Sequence, residues 1–418
     1  MSITSYPDYT RIAEGDGNVN FYGTALDAFG RIRVSQPLTL FDSSHRYRDN
    51  NLWAEEATGT ASSTFNADAG LIEMDIGTAS GDELIRETTK VFSYQPGKSL
   101  LILSTFVFEP AKANLRQRIG YFGAANGVYL QLADSTVAFV ERSSVTGSVV
   151  ETTVAQSSWN VDPMDGTGPS GVTLDISKAQ ILFTDIEWLG LGTVRCGFVV
   201  DGKFIHCHSF HHANLITSTY ITTASLPLRY EITNTDTTAS ASTLKQVCSS
   251  VISEGGYQLQ GIQQAVSIPV TAPVTLTTAG TAYPVISIRL KASPDRLDAV
   301  VILSALSLLA TTTDILSWKV VASATTTGGT WVSAGTDSAV EYNITGTATS
   351  GGRILASGYV SSTNQSTGGI DIPKDALFKF QLERDSLAGT PYELSLVVTA
   401  DANSATCLAS MDWEEISR

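Results

Sequence analysis

The chain has 418 residues with 41 acidic and 26 basic side chains, so its formal net charge is −15, and only 16% of its residues are charged. This length allows two or three domains with cores of their own. The acidic balance argues against nucleic-acid binding, which needs clustered lysine and arginine. The 46 serines, 49 threonines and 34 glycines disfavour helices and favour strands and turns. Composition therefore predicts a large β protein and excludes a long coiled coil.

The first 60 residues contain scattered glycines and isolated aromatic residues but few periodic runs. We interpret residues 1–60 as an extended arm that has no core of its own and packs on another domain or subunit. A partly disordered leader is the alternative. The first eight residues, MSITSYPD, lack the basic and apolar regions of a signal peptide, so we expect synthesis in a cytoplasm. The aromatic residues that could anchor the arm are Tyr6, Tyr9, Phe21, Tyr22, Phe29, Phe41, Tyr47 and Trp53.

Residues 61–257 are dominated by strand patterns. The run at 99–108, SLLILSTFVF, is continuously apolar between proline-containing turns, which is typical of a buried strand. Further alternating runs lie at 179–189, 226–232 and 244–253. Several strands joined by glycine and proline turns predict a β-sandwich of the jelly-roll or lectin-like kind.

A glutamine- and threonine-rich stretch at 258–283 is predicted to be a linker, and residues 284–418 a second, smaller β-sandwich. The apolar run at 299–309 fits a helix or a strand. No segment reaches 18 apolar residues, so we expect no insertion into a membrane. The strand candidates in the second unit are 285–290, 314–322, 331–332, 340–344, 352–360, 377–382 and 392–399.

The clearest hairpin spans residues 194–210, with a central Asp-Gly pair that favours a two-residue type I′ turn. Such a turn places Cys196 opposite Cys207, and Arg195 opposite His208. Both cysteines then lie on the apolar face of the hairpin. A cross-strand disulfide is possible in this register, but we favour free, buried thiols.

Four of the five histidines lie between residues 206 and 212. His206 and His208 are two residues apart on the outer face of the predicted hairpin, where they could share a zinc or nickel ion. The alternative is that they are polar surface residues beside Arg195. Because no carboxylate lies near them in sequence on that face, we favour the alternative and predict no metal and no other cofactor.

Three further patterns have both a functional and a structural interpretation. Residues 162–168, DPMDGTG, could wrap a calcium ion, but they lack the ligand alternation and final glutamate of an EF-hand, so we favour an Asp-Gly turn. The clusters at 185–188 (DIEW) and 412–415 (DWEE) have the acid and aromatic composition of sugar sites, although inward-packed aromatics are the favoured interpretation. Signatures of hydrolases, P-loops and zinc proteases are missing from the sequence, so we predict that the chain is not an enzyme.

Residues 23–35, GTALDAFGRIRVS, resemble the DAFGRxRVS segment near the N-terminus of structural proteins from tailed bacteriophages. The resemblance covers about residues 23–257 and is looser beyond, until the terminal MDWEEI at 411–416. In such proteins the segment is similar to a short anchor that precedes different distal domains. Other stretches that carry the resemblance are 94–99, 118–122, 187–190, 197–203, 211–214, 226–232 and 251–257.

The resemblance implies a non-enzymatic structural protein of a virion, in a tail fibre or a baseplate-associated adsorption appendage. Its expected partners are further copies of itself in a homotrimer, other tail or capsid proteins, and a host-surface glycan. A capsid decoration or head-fibre protein is the first alternative, and a carbohydrate-binding or carbohydrate-cleaving protein is the second. The residues expected to anchor the chain to the particle are Asp27, Phe29, Gly30, Arg31, Arg33 and Phe41.

Overall fold

The structure is a computed structural model that describes residues 36–258, 260–362, 370–371 and 379–417. Within those ranges the regular elements are β-strands, here numbered β1 to β28 in chain order, and short 3-10 turns such as Gln156–Ser158. The prediction of an all-β chain built from two sandwiches is confirmed, and the ambiguous run at 299–309 is a strand. No described helix is long and apolar enough to cross a lipid bilayer.

The first sandwich packs an eight-stranded antiparallel sheet, sheet A, against a seven-stranded antiparallel sheet, sheet B. Sheet A consists of β1 (Pro37–Ser44), β3 (Ser62–Asn66), β4 (Leu71–Ile76), β6 (Ser99–Val107), β11 (Gln180–Ile186), β12 (Val194–Val200), β13 (Lys203–Phe210) and β15 (Ser242–Glu254). Sheet B consists of β2 (Trp53–Thr58), β5 (Glu83–Thr88), β7 (Leu115–Phe122), β8 (Gly127–Ala133), β9 (Thr136–Ser143), β10 (Val150–Ala155) and β14 (Leu228–Asn234).

Sheet A has the strand order β13-β12-β11-β6-β15-β4-β3, with β1 paired to the second half of β15. Sheet B has the order β10-β9-β8-β7-β14-β5-β2. In β6 the even-numbered residues from Leu100 to Phe106 are buried in the core, and the odd-numbered ones are half-buried on the outer face. This alternation follows from the two-residue period of a strand, and it gives sheet A an outer face that is itself partly apolar.

The second sandwich packs a five-stranded sheet, sheet C, against a six-stranded sheet, sheet D. Sheet C consists of β16 (Ile262–Ser267), β17 (Val274–Leu276), β19 (Val300–Ala310), β24 (Ile370–Asp371) and β28 (Ala405–Ser417). Sheet D consists of β18 (Ala282–Leu290), β20 (Ile315–Thr327), β21 (Val332–Ser333), β22 (Val340–Asn343), β23 (Ala348–Ser361) and β27 (Glu393–Ala400). A small hairpin pairs β25 (Arg384–Asp385) with β26 (Thr390–Pro391).

The expected arm at 1–60 is only partly within the described residues, and its described part belongs to the first sandwich. Strand β1 pairs with β15, and β2 pairs with β5. The rings of Phe41 and Trp53 lie 6.1 Å apart, and both side chains are buried in the core. Phe41 and Trp53 are core residues because β1 and β2 each contribute one aromatic side chain to the sheet interface, whereas Tyr47 is 84% exposed. Residues 1–35 lie outside the described residues.

The expected linker at 258–283 also differs from the structure. Strands β16, β17 and the start of β18 occupy 11 of its 26 residues, and both β16 and β17 pair with β28. The long terminal strand β28 was not among the strand candidates, yet it lies between β16 and β19 in sheet C. Short polar strands such as QQAVS are hard to recognise because they lie at a sheet edge and bury few side chains. The candidate strand at 377–382 falls partly outside the described residues, and Gln381 forms only an isolated bridge with Ile302.

The hairpin of β12 and β13 has the predicted register only near its turn. Val199 pairs with Phe204, and Gly197 pairs with His206. A β-bulge then inserts one residue, so Cys196 pairs with His208 rather than Cys207. The predictions that Cys196 faces Cys207 and that Arg195 faces His208 are therefore wrong. Both thiols are nevertheless free and fully buried in the core.

The two sandwiches meet at a joint where the segment 380–386 of the second lies against the end of β5 and the residues just after it. Gln381 donates from Nε2 to the carbonyl of Val91 at 3.0 Å. Arg384 is 2% exposed and donates to the carbonyl of Thr88 at 2.8 Å and to Oε1 of Glu87 at 2.9 Å. A small apolar cluster of Val91, Val300 and Ile302 lies beside these bonds. The joint is therefore packed and hydrogen-bonded, unlike a flexible tether.

Candidate functional site

The outer face of sheet A carries a hollow of about 290 Å³ that opens to solvent, here called the aromatic hollow. Its side chains come from five neighbouring strands, β13, β12, β11, β6 and β15. The strand register places Arg195, Asp185 and Leu101 in one row across the sheet. The residues lining the hollow are Leu101, Phe183, Asp185, Arg195, Phe204, His206 and Glu254.

Two phenylalanines form the apolar part of the aromatic hollow. The rings of Phe183 and Phe204 meet edge to face, with 5.1 Å between their centroids. Phe183 is buried and Phe204 is 56% exposed, so one ring supports the other. Gly197 makes this arrangement possible, because a Cβ at that position would lie 2.7 Å from the Phe183 ring and 2.0 Å from the Ile205 carbonyl oxygen. The pair therefore presents a fixed aromatic surface to solvent.

The polar part of the hollow is an ion pair between Asp185 and Arg195. The Asp185 carboxylate is buried, whereas the Arg195 side chain is 57% exposed. Burial raises the pKa of Asp185, and nearby Glu254 and Glu187 add to this effect, so Arg195 does not fully offset it. On the opposite wall, Glu254 accepts a hydrogen bond from Ser99 at 3.0 Å. The hollow thus combines one cationic and two acidic side chains around an aromatic surface.

The side chains of the clustered histidines do not form one site. His206 lies in the hollow, where its Nε2 is 2.9 Å from Ser209 Oγ. His208 is buried and accepts from the Asn160 N–H at 3.3 Å, and burial lowers its pKa to about 4. The two rings therefore have different hydrogen-bond partners. In the described part of the chain, no three His, Cys, Asp or Glu side chains come together as a metal-binding group.

His212 serves a different purpose, since it joins a loop to sheet B. Its Nε2 lies 2.8 Å from Glu141 Oε2, and its Nδ1 contacts the Gly192 carbonyl. Its ring stacks on Tyr220 with 4.0 Å between centroids. Burial lowers the pKa of His212, but Glu141 and Gly192 outweigh that effect and hold it above its ordinary value. Two acceptors around one imidazole stabilise the protonated ring.

The outer face of sheet B carries a second charged group, here called the arginine–glutamate face. Glu231 is buried and accepts from Arg116 at 3.1 Å, from Arg118 at 3.4 Å and from Arg229 at 3.1 Å. Arg229 also donates to Glu87 at 3.2 Å. Burial alone would raise the pKa of Glu231, but the arginines outweigh it and hold the pKa below its ordinary value.

Aromatic rings support these arginines from below. Arg118 and Arg142 each lie 5.2 Å from the centroid of the Tyr129 ring, and Arg229 lies 5.5 Å from that of Phe122. Cation–π contacts of this kind gain strength when they are desolvated. Because each carboxylate of this face is ion-paired, it is poorly suited to donate a proton as a general acid. The ion pairs of this face therefore fit a structural role better than a catalytic one.

The structure shows the surroundings of the three sequence patterns that could have formed calcium or sugar sites. Asp162 accepts backbone N–H bonds from Met164 and Ser170 within its own loop, as expected of a turn. Trp413 is fully buried and donates to Glu415 at 3.1 Å, so the aromatic residue of the 412–415 cluster packs inward as favoured, while Asp412 and Glu414 are half-buried. The 185–188 cluster divides, because Asp185 lines the aromatic hollow while Trp188 packs edge to face on Tyr94.

Of the expected anchoring residues, Phe41 alone is described. Its ring packs 5.0 Å from Phe92 in the first core, so its role within this chain is structural. Its part in attachment to a particle stays a prediction. The other five, Asp27, Phe29, Gly30, Arg31 and Arg33, lie outside the described residues.

Sequence reasoning missed Phe204 and Glu254 as site residues. Phe204 was recognisable as a large apolar side chain that the predicted hairpin register turns away from the core. Glu254 carried no such signal, because it meets Asp185 only through the pairing of β15 with β6 and of β6 with β11.

No protein-family model and no curated protein matches this sequence. Among solved structures, a Bacillus licheniformis β-glucanase is 10% identical, covers 50% of this chain and 96% of its own, and has a TM-score of 0.34. The carbohydrate recognition domain of Emp47p is 10% identical over 56% of this chain and 100% of its own, with a TM-score of 0.33.

The receptor-binding domain of botulinum neurotoxin D is 10% identical over 59% of this chain and 58% of its own, with a TM-score of 0.33. These neighbours are thus an enzyme, a carbohydrate-recognition domain and a receptor-binding domain. TM-scores of this size carry no argument about function. The class of this protein follows from its own fold: an all-β chain of two joined sandwiches with an aromatic hollow on one outer face.

Proposed function

We propose that this chain is a non-enzymatic structural and binding protein of a tailed-bacteriophage virion, placed in a tail fibre or baseplate-associated adsorption appendage. The aromatic hollow is the observation that carries the binding role. An exposed ring on a fixed support, beside an ion pair, is suited to recognition of a surface ligand. The resemblance of residues 23–35 to phage structural proteins supports the placement on a particle.

The joint between the sandwiches supports the structural role. Arg384 hydrogen-bonds the second sandwich to Glu87 of β5, Gln381 bonds to Val91 just beyond that strand, and the buried arginine–glutamate face begins at the same Glu87. A continuous set of buried ion pairs thus extends from the joint across sheet B. A rigid protein suits an extracellular particle.

Electron microscopy with gold-labelled antibody against residues 284–418 tests the placement on intact particles. Label at the tail end is expected. Label spread over the head would instead support a capsid decoration or head-fibre protein. Protein that stays free in the lysate, with no label on particles, would contradict both placements.

One observation favours a second function, the cleavage of glycosidic bonds. The aromatic hollow contains two carboxylates, Asp185 and Glu254, and glycosidases use such pairs across a cleft. The raised pKa of Asp185 is a property of proton donors. Against this function, Asp185 is ion-paired with Arg195, which stabilises its ionised form.

Chromogenic glycosides distinguish the two functions. A binding protein releases no product above the rate of the buffer blank. Release that disappears in the Asp185→Asn variant, with the fold intact by circular dichroism, would establish the enzyme and contradict the non-enzymatic proposal.

A further inference from the structure

The aromatic hollow has the size of a site for one sugar ring. Its volume of about 290 Å³ lies at the lower end of small-molecule pockets, which begin at roughly 300 Å³. The exposed Phe204 ring forms one wall, and the charged groups of Asp185, Arg195 and Glu254 surround it. A pyranose has the matching pattern, since its ring C–H groups form an apolar face and its hydroxyl groups surround that face.

The aromatic surface is held in place before any ligand arrives. Phe183 contacts Phe204 edge to face, and Phe183 itself fills the space that a side chain at Gly197 would need. A ligand that stacks on Phe204 therefore loses little free energy in ordering the ring. Preorganisation of this kind favours affinity for a small ligand.

The charges of the hollow select against acidic ligands. Arg195 contributes one positive charge, Asp185 and Glu254 contribute two negative charges, and His206 is neutral because burial lowers its pKa. The local balance is therefore 1 − 2 = −1, on a chain of net charge −15. Carboxylated or sulfated sugars would be repelled, whereas hydroxyl groups can donate to the carboxylates and accept from Arg195.

We propose that the aromatic hollow binds one uncharged pyranose ring of a glycan, stacked on Phe204, with its hydroxyl groups on Asp185, Arg195 and Glu254. This inference rests on the proposed binding function and names its ligand class. Phe204 is the stacking residue. Arg195 and the two carboxylates recognise hydroxyl groups.

Saturation-transfer NMR on the full chain tests this inference with defined probes. The neutral probes are the methyl glycosides of glucose, mannose and galactose, and the acidic probe is N-acetylneuraminic acid. We expect transfer to the ring protons of at least one neutral glycoside and none to the acidic sugar. Transfer only to N-acetylneuraminic acid, or to no sugar at all, would overturn the ligand class.

Two variants with matched exposure locate the site. Phe204→Ala removes the stacking ring and is expected to weaken binding of the neutral glycoside by roughly tenfold or more. Ile354→Ala, on the second sandwich, removes a side chain of almost equal exposure, 55% against 56%, and is expected to leave binding unchanged. Equal binding by both variants would overturn the assignment to the hollow.

Two further measurements separate this inference from its alternatives. If Phe204→Ala changes the oligomeric mass by light scattering and the wild-type chain binds no sugar, the hollow is a contact between copies and the inference fails. Particles that carry the Phe204→Ala chain are expected to adsorb more slowly to host cells. Adsorption at the wild-type rate, with antibody label still at the tail, would contradict the glycan inference and leave the virion role standing.

Discussion

The guanidinium of Arg384 in the second sandwich donates to the carboxylate of Glu87 in the first, at 2.9 Å. Both side chains are buried, and Glu87 also accepts from Arg229 on the neighbouring strand β14. The contact therefore connects the joint between the sandwiches to the arginine–glutamate face of sheet B. One residue of the second sandwich thereby completes a charge network of the first.

Replacing Arg384 by Met should weaken the joint. Removing one partner of a buried ion pair leaves the other charge poorly compensated, so we expect the free energy of unfolding to fall by roughly 3 kcal/mol. Differential scanning calorimetry should then resolve two transitions, one for each sandwich. Arg353→Met is the control, because Arg353 forms a more exposed pair with Glu383 and should cost less than about 1 kcal/mol. Equal losses in the free energy of unfolding would contradict the stabilising role of the joint.

Replacing Glu231 by Gln should destabilise sheet B. The variant leaves three arginines around a neutral amide, and we expect a loss of roughly 3 kcal/mol in denaturant unfolding. Glu341→Gln, which removes a less buried partner of Arg289, serves as the comparison. If Glu231→Gln is as stable as the wild type, the face contributes nothing to stability.

Replacing Gly197 by Ala should disturb the aromatic hollow. The added Cβ would collide with the Ile205 carbonyl and the Phe183 ring, and overpacking of this kind costs roughly 1–3 kcal/mol. At Gly123 a Cβ would meet only Pro227, at 3.8 Å, so Gly123→Ala is the matched control. Thermal unfolding measures both variants. An unchanged melting temperature for Gly197→Ala would show that the ring pair moves freely.

Acid should destabilise the first sandwich through His208. Burial lowers the pKa of His208 to about 4, below the ordinary 6.5, with His206 and His211 adding to the effect. Between these two values the unfolded chain binds a proton that the folded chain does not, so stability falls as pH drops from 6.5 toward 4. His208→Gln should reduce this loss in melting temperature. An equal loss in the variant would assign it to other groups.

Raising the pH should also destabilise the first sandwich, because His212 then loses its proton. The pKa of His212 is raised by Glu141 and Gly192 against the effect of burial, so its stabilising contribution is complete below 6.5. That contribution is lost as pH rises through the folded pKa, so the free energy of unfolding should be smaller at an alkaline pH than at pH 6. Glu141→Gln should abolish this dependence. Chemical unfolding at both pH values provides the measurement.

The strand periodicity, the Asp-Gly turn and the turn residues were sufficient to predict an all-β chain, most strand positions and the buried thiols. These features depend on neighbours within a few residues, so local sequence contains them. The same reasoning placed Asp185 in an acid–aromatic cluster. It extended an arm to residue 60 and a linker to residue 283, because short strands with few apolar residues carry little periodic signal.

Tertiary structure alone decided which of these residues meet. The aromatic hollow depends on the order β13-β12-β11-β6-β15, which brings Glu254 near Asp185 across about 70 residues of sequence. The bulge in β13 paired Cys196 with His208 instead of Cys207, and no sequence pattern marks it. The contact of Arg384 with Glu87 depends on how two independently patterned sandwiches pack. Long-range pairing of strands is set by the packing of whole sheets, and single-strand patterns do not contain it.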